Sequence, residues 1–170
     1  LGALVDQNLL RRETSPILNA DDEPYFRMLE TIREFARERL AEADELSPIQ
    51  LRYAEYWRDL AEAAEPALRR PAQVAWLNRL ERERPNLNAA LTWSAGADQI
   101  ELGVRLSAAL GWFWYLRGGD RSEGRAWLDR FASLAAPLPS AAAARARALS
   151  AAGLIAQYQL DLAAALTLQE

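Results

Sequence analysis

The stretch IELGVRLSAALGWFWYLR, Ile100 to Arg117, constrains the fold of this chain more than any other. Leu102, Leu106, Leu110 and Phe113 recur at helical spacing, while Val104, Trp112, Trp114 and Tyr115 cover much of the remaining circumference. A helix that is apolar nearly all round has to be buried between neighbours. No alternating strand pattern occurs after Leu29, so those neighbours must be helices. The expected fold is mainly α, built of stacked helix pairs joined by short connections.

Start signals place the other helices. Thr31 with Glu34, Ser47 with Pro48 and Gln50, Asp98 with Glu101, and Asp120 with Glu123 each combine a capping side chain with an acceptor three residues on. Pro48 suits a first helical position, where a missing N–H is one of the orphans anyway. The pattern predicts helices at about 32–40, 48–65, 72–83, 85–95, 99–117, 121–135, 140–157 and 160–170.

The first forty residues read differently. LGALVDQNLL has helical spacing, LLRRET and YFRML can form strands, and SPILNADDEP between them is rich in turn residues. A hairpin with an acidic tip is expected, its second strand passing directly into a helix that starts at Ile32.

Composition excludes several chemistries. The chain has no Cys and no His, which removes disulfides, thiolate zinc sites and the commonest general base. A net charge of −4 over 170 residues argues against coating nucleic acid by bulk electrostatics. All twenty basic residues are Arg, so a phosphate-binding loop of the G-x-x-x-x-G-K-[ST] type cannot occur. No apolar run is long enough to span a membrane, and a cytoplasmic location is expected. The first residue is Leu1 rather than Met, which leads to the expectation of a segment excised from a longer protein.

Leu110-Gly111-x-x-Trp114 matches part of the tetratricopeptide pattern, in which Gly lets a partner helix approach, and Ala152-Gly153-x-x-Ala156 is a smaller form of it. Their separation exceeds the usual period of about 34 residues, and Ser107 stands where the pattern prefers Trp. In order along the chain, LGALVDQNLLRRE, YFRMLETIREFARERL, RYAEYWRDLAEAAEPAL, AWLNRLERERPNLNAAL and GWFWYLRGGDRSEGRAWLDR resemble the central region of bacterial STAND-type signalling ATPases, including LuxR-type transcriptional regulators. The resemblance implies that residues 1–45 are the end of a winged-helix module and 46–170 the start of a tetratricopeptide-like α-solenoid. It also implies an upstream nucleotide-binding domain as a partner. Related proteins carry a Met-His-Asp motif whose His touches nucleotide phosphate; here Met28 matches, Leu29 replaces the His and Glu30 replaces the Asp. Met28, Leu29 and Glu30 are therefore candidates for coupling between modules, and no cofactor-binding residue is expected in this segment.

Among the repeats, Glu101, Arg105 and Trp112 share a face apart from the Leu102–Phe113 stripe and are the candidate partner-binding residues. A protein or peptide partner, or a small effector, would bind there. Glu30, Glu34 and Glu38, interleaved with Arg33 and Arg37, read as a solvated helix face rather than an acid–base cluster. Asp21, Asp22 and Glu23 lack the alternating spacing of a calcium loop. Arg11, Arg12 and Arg27 flank an acidic tip, so DNA contact by the hairpin is not expected. Leu160, Leu162, Leu166 and Leu168 are candidates for self-association. The expected function is non-catalytic: a regulatory segment that couples partner binding to an upstream nucleotide state. The alternative is a free-standing adaptor.

Overall fold

The computed structural model describes residues 2–13, 25–117 and 121–167, without the side chains of 13, 25 and 160–167. Among the described residues the chain is mainly helical, with one two-stranded sheet. It divides into two compact units, Leu1–Ile49 and Gln50–Glu170.

In the first unit, α1 (Gly2–Asp6) leads into β1 (Leu10–Glu13), which pairs antiparallel with β2 (Tyr25–Met28). Leu10 lies opposite Met28 and Arg11 opposite Arg27. The acidic tip Asp21–Glu23 lies outside the described residues. Strand passes to helix through the single residue Leu29, and α2 runs Glu30–Glu42. The helix thus begins two residues before the Ile32 expected from a Thr31 capping box. Leu29 is its N-cap, extended at φ −62 and ψ 142 with no side-chain cap, and Thr31 falls inside the first turn. The residue that follows the strand continues its extended backbone, as an N-cap must, so the hairpin starts the helix without a capping side chain.

The second unit contains α3 (Leu46–Ala67, from Gln50 onward), α4 (Gln73–Arg82), α5 (Arg84–Gly96), α6 (Ile100–Arg117), α7 (Arg121–Leu134), a short 3-10 turn (Pro139–Ala141) and α8 (Ala142–Thr167). α3 begins at Leu46, so Ser47 is helical rather than capping and Pro48 still sits in the first turn. The break expected between 157 and 160 does not occur. Gln157 to Asp161 contains neither Gly nor Pro, and α8 runs through it unbroken.

Three helices end in the same way. Asn8, Asp44 and Asp98 take φ of 58, 57 and 56 after α1, α2 and α5. Leu9, Glu45 and Gln99, one residue further on, donate N–H to the carbonyls of Leu4, Leu40 and Ser94 at 2.9, 2.9 and 3.0 Å. This is the Schellman arrangement, with Asn or Asp where Gly is commonest. Asp98 therefore closes α5 instead of capping α6, a correction to the capping box read with Glu101. Asp98→Gly relieves the left-handed strain and is expected to stabilise the chain by about 0.5–1 kcal/mol, whereas Asp98→Val should destabilise it by about 1–2 kcal/mol. Thermal melts of the two variants check the opposite signs.

α6 is the centre of the second unit, as its sequence requires. Val104, Leu106, Leu110, Phe113 and Trp114 are buried on successive faces, against α7 on one side and α8 on another. Ser107 is fully buried too, and its hydroxyl donates to the Val104 carbonyl at 3.1 Å, so a small polar residue is satisfied within its own helix.

Glycines set the spacing of the α6–α7 hairpin. A Cβ on Gly103 of α6 would lie 2.0 Å from the Phe131 ring of α7, and one on Gly124 of α7 would lie 2.2 Å from the Trp114 ring of α6. Each helix therefore receives an aromatic ring from the other. Gly111 faces Ala151 of α8, where a Cβ would come within 2.5 Å, as the helix-approach expectation requires. Gly153 does not repeat that role, because a Cβ there meets nothing within 4 Å. α8 instead packs through Ala144, Ala148, Ala152 and Ile155, a stripe of small buried residues. Arg145 closes the same interface, donating at 2.9 Å to the Ala132 carbonyl in the last turn of α7.

Candidate functional site

The exposed surface of α6 is a narrow stripe that includes Glu101, Arg105, Trp112 and Tyr115. Neighbouring helices give these four residues different tasks. Glu101 accepts a hydrogen bond from the Ser140 hydroxyl at 2.9 Å. Arg105 is clamped by Glu62 of α3, its Nε 2.9 Å from one carboxylate oxygen and its terminal nitrogen 2.8 Å from the other. That hydrogen-bonded fork, opposed by burial and aided by the charges of Glu62, Asp59 and Glu101, raises the Arg105 pKa further. Arg105 thus ties α3 to α6.

Removal of the tie has a bounded effect because both side chains keep access to water, at 39% and 27% exposure. In a double-mutant cycle with Glu62→Gln and Arg105→Ala, the expected coupling is about 0.5–1 kcal/mol. Chemical denaturation of the four proteins measures it.

Trp112 enters a different environment. Its indole stacks on Tyr115 with centroids 5.0 Å apart and planes at 28°, and the Arg69 guanidinium lies 4.6 Å over its ring. The Trp112 Nε1 is buried without a hydrogen-bond partner. Beside it, Arg147 of α8 donates to Glu65 of α3 at 2.8 Å. Together α3, α6 and α8 enclose a groove of about 380 Å³. Ala108, Gly111 and Ala151 leave room at its base; Arg69, Trp112, Tyr115, Arg147, Ser150 and Leu154 supply its chemistry. An aromatic shelf with two guanidiniums and one carboxylate can bind and orient a ligand.

Of the three residues expected on this face, only Trp112 lines the groove; Glu101 and Arg105 do not. Glu65, Arg69, Arg147 and Ser150 were missed. Glu62, Glu65 and Arg69 recur on one face of α3 and its C-terminal extension, which is a visible signal. Their partners on α6 and α8 lie too far along the chain for periodicity to pair them.

The other candidates, Met28, Leu29 and Glu30, make the contacts of a helix start. Met28 ends β2, the Leu29 carbonyl accepts the Arg33 N–H at 2.9 Å, and the Glu30 carboxylate pairs with the Arg33 guanidinium. Leu29 stays 43% exposed. Among the described residues no cluster of His, Cys, Asp or Glu could hold a metal ion, and no helix is long and apolar enough to cross a membrane. The side chains of Leu160, Leu162, Leu166 and Leu168 lie outside the described residues.

No family model matches the chain. No solved structure matches it either. Curated relatives include proteins named "Putative HTH-type transcriptional regulator" from Mycobacterium bovis (strain ATCC BAA-935 / AF2122/97) and from Mycobacterium tuberculosis (strain ATCC 25618 / H37Rv). Each is 32% identical over 160 residues, an alignment covering 87% of this chain and 17% of the relative. The chain therefore spans about 17% of the length of these relatives, and the similarity gives it a link to transcriptional regulators.

Proposed function

We propose that this chain is a non-catalytic regulatory segment of a transcriptional regulator, in which tetratricopeptide-like helices receive a partner or small effector in the groove between α3, α6 and α8. The groove carries this reading: aromatic rings and guanidiniums converge there from three helices far apart in sequence. Two further features support it, namely the similarity to HTH-type regulators and the glycine-spaced α6–α7 hairpin against which α8 packs. On this reading residues 46–170 are helical repeats, and residues 1–45 are the end of a winged helix. Met28, Leu29 and Glu30 form the joint through which occupancy of the repeats biases an upstream nucleotide-binding module of a STAND or LuxR-type protein. Such biasing requires a ligand that binds two states unequally.

On this reading the segment itself carries no catalytic group and no cofactor, and it acts in the cytoplasm. Its hairpin places Arg11 and Arg27 directly opposite each other, a like-charge pair too small to anchor duplex DNA alone. Calorimetric titration of the chain with Mg-ATP and with duplex DNA is expected to give no binding heat. Saturable binding of either would overturn the assignment, because the segment would then hold the nucleotide or operator site that the proposal places elsewhere.

A further inference from the structure

The composition of the groove narrows what it can hold. Arg69 meets Trp112 through a cation–π contact, its guanidinium carbon 4.6 Å from the ring centroid, and a cation–π contact does not consume all of the guanidinium N–H donors. No described carboxylate bridges to Arg69. Arg147 spends one terminal nitrogen on Glu65, and the remaining donors of its fork are open to a ligand. Two guanidiniums against one carboxylate leave the groove with an excess positive charge.

Other lining residues are apolar. Leu154 is 41% exposed and lines the groove with Tyr115, whose ring stacks on Trp112 at 5.0 Å and lies 6.1 Å from the Tyr158 ring. A large aliphatic side chain left open beside an uncompensated arginine, with the Trp112–Tyr115 stack bordering the same groove, favours a ligand with both an aromatic and an anionic part. The volume of about 380 Å³ is near the lower end for small-molecule sites. One or two fused rings with a short acidic arm would fit there, whereas an extended peptide would run past the enclosed space.

We infer that the groove binds a small aromatic carboxylate, with its ring on Leu154 beside the Trp112–Tyr115 stack and its carboxylate on the N–H groups of Arg69 and Arg147. This deepens the regulatory reading of the same groove and rests on it. The ligand class accounts for an Arg69 without a described carboxylate partner, the exposed Leu154 and the limited volume together.

The test is calorimetric titration of the 170-residue chain with 1-naphthoate, with 1-naphthamide as its uncharged counterpart, with acetate and with a tetraglutamate peptide. Naphthoate should bind, naphthamide should bind at least about tenfold more weakly, and acetate should not bind. Arg69→Gln, and separately Glu65→Gln with Arg147→Gln, should each weaken naphthoate at least about tenfold at unchanged thermal stability. Equal affinity for naphthamide, equal affinity in the variants, or tighter binding of tetraglutamate would overturn the assignment. So would silence toward naphthoate; if groove substitutions still changed the output of a regulator carrying the segment, the ligand class alone would fail and the regulatory reading would stand.

Discussion

Gly103→Ala and Gly124→Ala are each expected to destabilise the chain by about 2–3 kcal/mol, while Gly153→Ala, made in the same way, should stabilise it by about 0.5–1 kcal/mol. The chemical change is identical in the three variants. At Gly103 the new methyl would sit 2.0 Å from the Phe131 ring and at Gly124 2.2 Å from the Trp114 ring, and both rings are themselves buried. Neither ring can swing out of the way, so the two helices must separate. At Gly153 nothing lies within 4 Å, and only the gain in helix propensity remains. Urea denaturation followed by helical circular dichroism measures all three. Phe131→Leu should recover part of the Gly103→Ala loss, since it removes the ring atoms that clash.

Phe113→Ala should cost about 3–5 kcal/mol, because the ring is 1% exposed in the C-terminal half of α6 and its loss leaves a cavity that helices on several sides cannot all close. Phe35→Ala, on the first unit's α2, removes the same ring from a position 57% exposed and should change stability by less than about 0.5 kcal/mol. The denaturation midpoints of the two variants report the difference. A Phe113→Ala loss below about 1 kcal/mol would mean that α6 is not enclosed as described.

The all-round apolar surface of α6 was the most legible feature of the sequence, since no other arrangement hides Val104, Leu106, Phe113 and Trp114 at once. The hairpin and its direct passage into α2 were legible for a similar reason, through a change in period from two to helical near Leu29. Helix ends were read less well. Asp98 precedes a helix and follows one, and its side chain suits either role; only its backbone angle of 56° assigns it to the end of α5. Gly153 and Gly111 have similar neighbours in sequence, yet only Gly111 meets another helix, because that depends on the rotation of α8 and not on local pattern. The groove was half visible. Trp112 announced itself as an aromatic on the minority face of α6, whereas Arg69 and Arg147 became its neighbours only through the packing of three helices. Arg105 looked equally available in sequence but is held by Glu62.

The regulatory role of the groove is tested most directly by placing Arg69→Gln together with Glu65→Gln and Arg147→Gln in a full-length regulator carrying this segment and measuring its transcriptional output across inducing and non-inducing growth conditions. The output is expected to be fixed at one level in both conditions, with the amount of protein and the melting temperature of the isolated chain close to those of the unaltered protein. A full response that matches the unaltered regulator would contradict it.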